Sequence, residues 1–149
     1  MKHRLILLPL SLGCGLALVV IGCRKREPKA SASAAIPFQL VDRSGAAAME
    51  FTNWTIVFEA IPARSVSVGG AGVLSFAAGT ASGGDNLHGL RIRQFAGKDA
   101  VIVSVNNYTF KLMTGARRIS FNDHFYELKQ GPKTIVVGKD GKTHEEQAH

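Results

Sequence analysis

The sequence predicts an all-β domain, an antiparallel meander forming a small sandwich or barrel, behind an apolar N-terminal segment and a flexible tether. Three observations carry this. From Phe38 onward apolar residues alternate with polar ones at a period of two rather than 3.6. Turn-forming pairs, among them Asn106-Asn107 and Asp140-Gly141, punctuate the chain at short intervals. And only Gly45 to Glu50, with its three alanines, hints at a helical turn.

Taken in order, Phe38 and Leu40 flank Gln39, and Trp54, Ile56 and Phe58 alternate with Thr55, Val57 and Glu59. Val73 to Ala77 is a short, mostly apolar run. Ser65 to Gly89 is rich in Gly, Ala and Ser, and Ser82-Gly83-Gly84-Asp85-Asn86 reads as a loop. Leu90 and Ile92 alternate with Arg91 and Arg93, and Val101, Val103 and Val105 with Ile102 and Ser104. Asn tolerates positive φ, so Asn106-Asn107 suits a type I′ hairpin turn between Val101–Val105 and Tyr108–Leu112. Pairing across it sets Val105 opposite Tyr108, Val103 opposite Phe110 and Val101 opposite Leu112, with all six on one face. Thr109 and Lys111 then point the other way. Ile119 and Phe121 are expected to meet Leu128 and Tyr126 across a loop at Asn122–Phe125. Thr134 to Val137 and Lys142-Thr143 flank a turn at Lys139-Asp140-Gly141. The expectation is seven to nine short strands in a domain spanning 36–143, followed by a disordered tail at 144–149.

Ahead of the domain, Lys2 and Arg4 precede an uncharged run from Leu5 to Ile21. A basic start, an apolar stretch and a small residue before a cut site make a secretory signal. Val20-Ile21-Gly22-Cys23 closes the run, and position by position it resembles the lipobox of bacterial lipoproteins. Gly22 would let a peptidase approach the bond, and the Cys23 thiol would accept diacylglycerol through a thioether. The resemblance covers the first 23 residues. It implies a signal peptide at 1–22 and a mature N-terminus at Cys23 carrying two or three acyl chains, palmitate among them. Two chains hold a protein on a membrane stably where one is marginal. Arg24 stands where that class carries an aspartate for inner-membrane retention, which implies the periplasmic face of an outer membrane if the host has one.

The alternative is an uncleaved anchor. At about 1.5 Å per residue, Leu5 to Cys23 just reaches across a hydrocarbon core of roughly 30 Å. Arg24, Lys25, Arg26 and Lys29 outnumber Lys2 and Arg4, and for a single-pass anchor the positive-inside rule then leaves the domain in the cytoplasm. The stretch 23–35 is polar or small throughout and reads as a flexible basic tether.

The net charge of +7 invites a nucleic-acid reading, but its distribution opposes one. From Ala35 onward 12 basic residues face 10 acidic ones, and the aromatic interleaving of single-strand binders is missing. The excess sits beside the membrane-proximal end, where headgroup attraction is worth on the order of 1 kcal/mol per charge. Both cysteines, Cys14 and Cys23, precede the domain, so no disulfide staples it. Its stability rests on an apolar core, which a chain of this length can build.

Signals for chemistry are sparse. His88, His124, His144 and His149 are scattered, and Asp85 with His88 makes two ligands without a third, so no metal or cofactor site is expected. His144, Glu145 and Glu146 would hold a divalent ion only weakly. Ser75, Ser104 and Ser120 fall in strands without a nucleophile elbow, and no local pair of carboxylates suggests glycoside hydrolysis. Gly69-Gly70-Ala71-Gly72 lacks the phosphate-loop spacing. The best candidate surface is a basic face of Arg91, Arg93, Lys111, Arg117 and Arg118, suited to an anionic envelope component or an acidic envelope protein. The functional expectation is therefore a membrane-anchored envelope lipoprotein whose β domain binds or scaffolds without catalysis. A single-pass inner-membrane protein with a cytoplasmic adaptor domain, and a small periplasmic enzyme assembled from distant strands, are the alternatives.

Overall fold

The computed structural model describes residues 35–79, 81–113 and 115–146. The expected signal peptide at 1–22, Cys23, the expected tether as far as residue 34 and residues 147–149 lie outside them. Twelve strands follow one another among the described residues: β1 (Ala35–Arg43), β2 (Ala46–Glu50), β3 (Trp54–Pro62), β4 (Ala71–Ser75), β5 (Ala81–Leu87), β6 (Leu90–Ala96), β7 (Ala100–Val105), β8 (Tyr108–Met113), β9 (Arg118–Phe121), β10 (His124–Glu127), β11 (Lys133–Val137) and β12 (Thr143–Glu146). A single 3-10 turn, Ala63–Ser65, interrupts them. No helix among the described residues is long and apolar enough to cross a membrane.

The fold is an all-β sandwich of two six-stranded sheets, as the period of two predicts. The first sheet runs β12-β11-β3-β2-β1-β4 and the second β10-β9-β8-β7-β6-β5. The second is a pure antiparallel meander. The first is not, because β11 returns from the second sheet and lies parallel to β3, Ile135 beside Ile56 and Val137 beside Phe58. A chain coming back from another layer is not bound to antiparallel pairing, as a tight hairpin is.

Alternation along each strand builds one core between the sheets. Leu40, Met49, Ile56, Phe58, Leu74 and Ile135 enter from the first sheet; Leu90, Val101, Val103, Phe110, Leu112 and Ile119 from the second. Each large side chain buried this way contributes roughly 1.5–3 kcal/mol. Two polar clasps tie the layers near their edges. The Tyr126 hydroxyl on β10 donates to Thr143 Oγ1 on β12 at 2.7 Å. The Ser75 N–H on β4 donates to Gln94 Oε1 on β6 at 3.1 Å.

The β7–β8 hairpin has the register read from sequence, with Val105, Val103 and Val101 opposite Tyr108, Phe110 and Leu112. Other expectations change. Gly45–Glu50 holds strand β2, not a helical turn: Ala47, Ala48 and Met49 are buried, and Ala47 sits opposite Phe58. Pairing on both sides outweighs the helical preference of alanine. Residues 82–86 form part of β5, not a loop, and a register shift between Ser82 and Asp85 absorbs the two glycines. The turn after β9 is shorter than expected. Asn122 and Asp123 both take positive φ (44° and 66°), as a type I′ turn requires, so Phe121 pairs with His124 and Ile119 with Tyr126.

At the other Asn pair only Asn106 is left-handed (φ 52°), and a type I′ turn is not formed there. Asn106 is occupied elsewhere: its N–H donates to the Arg91 carbonyl at 2.8 Å and its Oδ1 accepts the Arg91 N–H at 2.9 Å. These bonds extend β7 along β6. Ala35, assigned to the tether, belongs to β1. Thr143–Glu146 forms β12, with Lys133 Nζ 3.0 Å from the Glu145 carboxylate, so the ordered domain runs past the expected end at 143.

Candidate functional site

Arg91, Arg93 and Lys111 come together on the outer face of the second sheet. Ile92, Val103 and Phe110 point into the core, so pleating sends their neighbours outward. The register then lines residues up across strands. One transverse row reads Phe95, Ile102, Lys111, Ser120, Phe125, one residue from each of β6 to β10. At roughly 4.8 Å between strands, it spans about 19 Å. The next row holds Arg93, Ser104 and Thr109, with the Ser104 and Thr109 hydroxyls 2.9 Å apart. Arg91 lies one step further, opposite Asn86.

Arg118 flanks the central row on its other side, and its guanidinium pairs with Glu127 on β10. Arg117 does not join the strand rows. It lies just before β9, where its carbonyl accepts the Leu128 N–H at 2.9 Å. Among the described side chains, four strand cations thus meet one carboxylate on this face. No carboxylate among the described residues pairs with Arg91, Arg93 or Lys111.

The apolar members of the row are the residues that sequence reasoning missed. Phe95 is 54% exposed, Ile102 45% and Phe125 58%, whereas most large apolar side chains of the domain are buried. A signal for two of them was present: Phe95 has the parity of Arg91 and Arg93, and Ile102 that of Ser104. Phe125 was hidden by the expectation of a loop at Asn122–Phe125.

The outer face of the first sheet is different. Val41, Ala48, Val57 and Val136 form a strip there, and Ala48, Val57 and Val136 are buried in a cluster of their own. Its strand charges are Arg43, Glu50, Glu59 and Glu146, with Arg43 and Glu50 3.7 Å apart.

Concave sites offer less. A groove of about 640 Å³, open to solvent, lies at one end of the sandwich near Ile36, Asn53, Leu128 and Lys129. Its aromatic pair, Phe51 and Trp54, is stacked on itself at 3.7 Å and buried, so neither ring face is offered to a ligand. His124 packs edge-on against Tyr126 at 4.7 Å. Among the described residues no three His, Cys, Asp or Glu side chains gather as metal ligands would. Asp140 lies in the β11–β12 turn. The Lys142 N–H, donating to its Oδ1 at 3.0 Å, holds the carboxyl below its ordinary value, helped by the Lys142 charge.

Comparison with family models, curated proteins and solved structures finds no match to this chain.

Proposed function

We propose that this protein is a lipid-anchored lipoprotein of the bacterial envelope whose β-sandwich binds a partner and performs no chemistry. The observation that carries the reading is Val20-Ile21-Gly22-Cys23 at the end of an uncharged run. Acylation at Cys23 would leave 24–34 as a short basic tether, with the domain beginning at Ala35. Fully extended, those residues span at most about 40 Å, so the domain stays close to the lipid surface. The binding role is supported by Arg91, Arg93 and Lys111, which have no carboxylate partner among the described residues, and by the exposed apolar side chains on the same sheet face.

A second reading has one observation in its favour. Arg24, Lys25, Arg26 and Lys29 on the far side of the apolar run suit an uncleaved single-pass anchor with a cytoplasmic domain.

One experiment separates them. The full chain and its Cys23→Ser variant are expressed in a bacterial host, and intact masses are measured from the membrane fraction. The lipoprotein reading expects a species lacking residues 1–22, heavier by diacylglycerol and an acyl chain, and lost in the variant. An uncleaved, unmodified chain in both samples would sink it and favour the single-pass anchor.

A further inference from the structure

We propose that the outer face of the second sheet is a membrane-docking surface, which lays the domain flat on an anionic bilayer. The inference rests on the chain being membrane-anchored, as a lipoprotein or by a single pass. It adds a second contact, made by the folded domain itself.

Two kinds of side chain share the face, and a lipid surface is the partner that uses both. Phe95 and Ile102 are exposed side by side at one end, and Phe125 at the other, of a row about 19 Å long. Large apolar groups in water are costly to leave so. At an interface they sink into the boundary between headgroups and acyl chains. Arg91, Arg93 and Lys111 stand in and beside this row with no carboxylate partner among the described residues, where they would meet lipid phosphates. Long basic side chains reach outward while their stems stay in apolar surroundings, so both groups can be satisfied at one depth.

The shape of the face favours a membrane over a protein. Protein partners are usually held by a few anchors filling well-packed pockets. The grooves of this domain lie at the sandwich end, over the first sheet and around the hairpin turns, and Phe95, Ile102 and Phe125 line none of those described. A broad sheet face with dispersed apolar groups suits a fluid plane that moulds to it. The opposite face, whose strands carry Glu50, Glu59 and Glu146 against Arg43, would be turned toward solvent, away from anionic headgroups.

The test uses the full chain with Phe125→Trp, reconstituted by its N-terminus into vesicles whose acyl chains carry bromine, a quencher of indole emission. Vesicles are phosphatidylcholine alone, or phosphatidylcholine mixed with phosphatidylglycerol. Trp54 is buried and supplies a constant background. The new indole is expected to be quenched roughly twofold more in the anionic vesicles, and the excess to fall with added salt. Combined Arg91→Glu, Arg93→Glu and Lys111→Glu should abolish it, since each charge is worth roughly fivefold in partitioning. Lys139→Glu, at a turn beside the other face, should not.

Equal quenching in both lipids, on a chain that floats with the vesicles, would overturn the docking face and leave the anchor standing. A chain that floats with neither would overturn both. An emission change with heparin but none with phosphatidylglycerol would reassign the face to a soluble polyanion.

Discussion

The two sheets of this sandwich face the same core but present opposite outer surfaces, and the contrast separates what folding requires from what it leaves free. On the first sheet the outer strip is made of Val41, Ala48, Val57 and Val136, small enough that flanking strands and their charged side chains enclose it. On the second, Phe95, Ile102 and Phe125 occupy equivalent outward positions and are left half exposed among cations. The strip of the first surface is largely covered within the domain, and only Val73 on edge strand β4 stands exposed among its described large apolar groups. The second places its large apolar groups where only another body can bury them, which is where a binding face is expected.

Substitutions can break or sharpen this contrast. The largest effect belongs to the core common to both sheets. Phe110→Ala should cost about 3–5 kcal/mol in equilibrium urea unfolding, through lost burial and the cavity left behind. Next is Val57→Ser, which removes a buried group from the outer strip of the first sheet and should cost on the order of 1–2 kcal/mol. Phe125→Ser, at the equivalent layer of the second sheet, should stay within about 0.5 kcal/mol of the parent. If both outer-face substitutions destabilise equally by the same assay, the distinction between a self-sealed and an open face fails.

The smallest effect is a pH dependence at the edge of the first sheet. The Asp140 carboxyl is held below its ordinary value by the Lys142 N–H. A depressed folded-state pKa contributes stability above the unfolded value that is lost as pH falls through the folded one. Slight loosening of the β11–β12 turn is therefore expected below about pH 4, where ordinary aspartates protonate. Asp140→Asn should remove that dependence, read from amide exchange at Gly141 and Lys142.

Much of the second sheet was legible in the sequence. Alternation through Val101–Val105 and Tyr108–Leu112, joined by two asparagines, leaves one register that puts the three valines, Tyr108, Phe110 and Leu112 on one side, with Ile102 alone among the apolar residues on the other. The first sheet was less so. In β2 three alanines carry a helical preference that pairing with β1 and β3 overrides. The second sheet has one exception, strand β5, whose Gly83-Gly84 has weak strand preference and is absorbed by a register shift against β6. In the first sheet, strand β12 has two glutamates among its four residues and exists because it completes a hairpin on β11. Each was misread for one reason, that its own residues favour strand only weakly and pairing with an adjacent strand supplies the stabilisation.

The candidate face divides in the same way. That Arg91, Arg93 and Lys111 point away from the core followed from parity alone. That they adjoin Phe95, Ile102 and Phe125 needed the order of strands and a two-residue turn at Asn122-Asp123, which shifts Phe125 from a loop into β10.

Local patterning thus determined the class of fold, the inward and outward side of the strong strands, and the lipobox-like segment at Cys23, because these depend on residues close in sequence. The tertiary structure alone decided the parallel docking of β11 on β3, the sandwich rather than a barrel, and the amphipathic row across β6 to β10. The first two depend on burying apolar surface between segments the chain keeps far apart, and the row depends on the register that successive hairpins adopt once one face is buried.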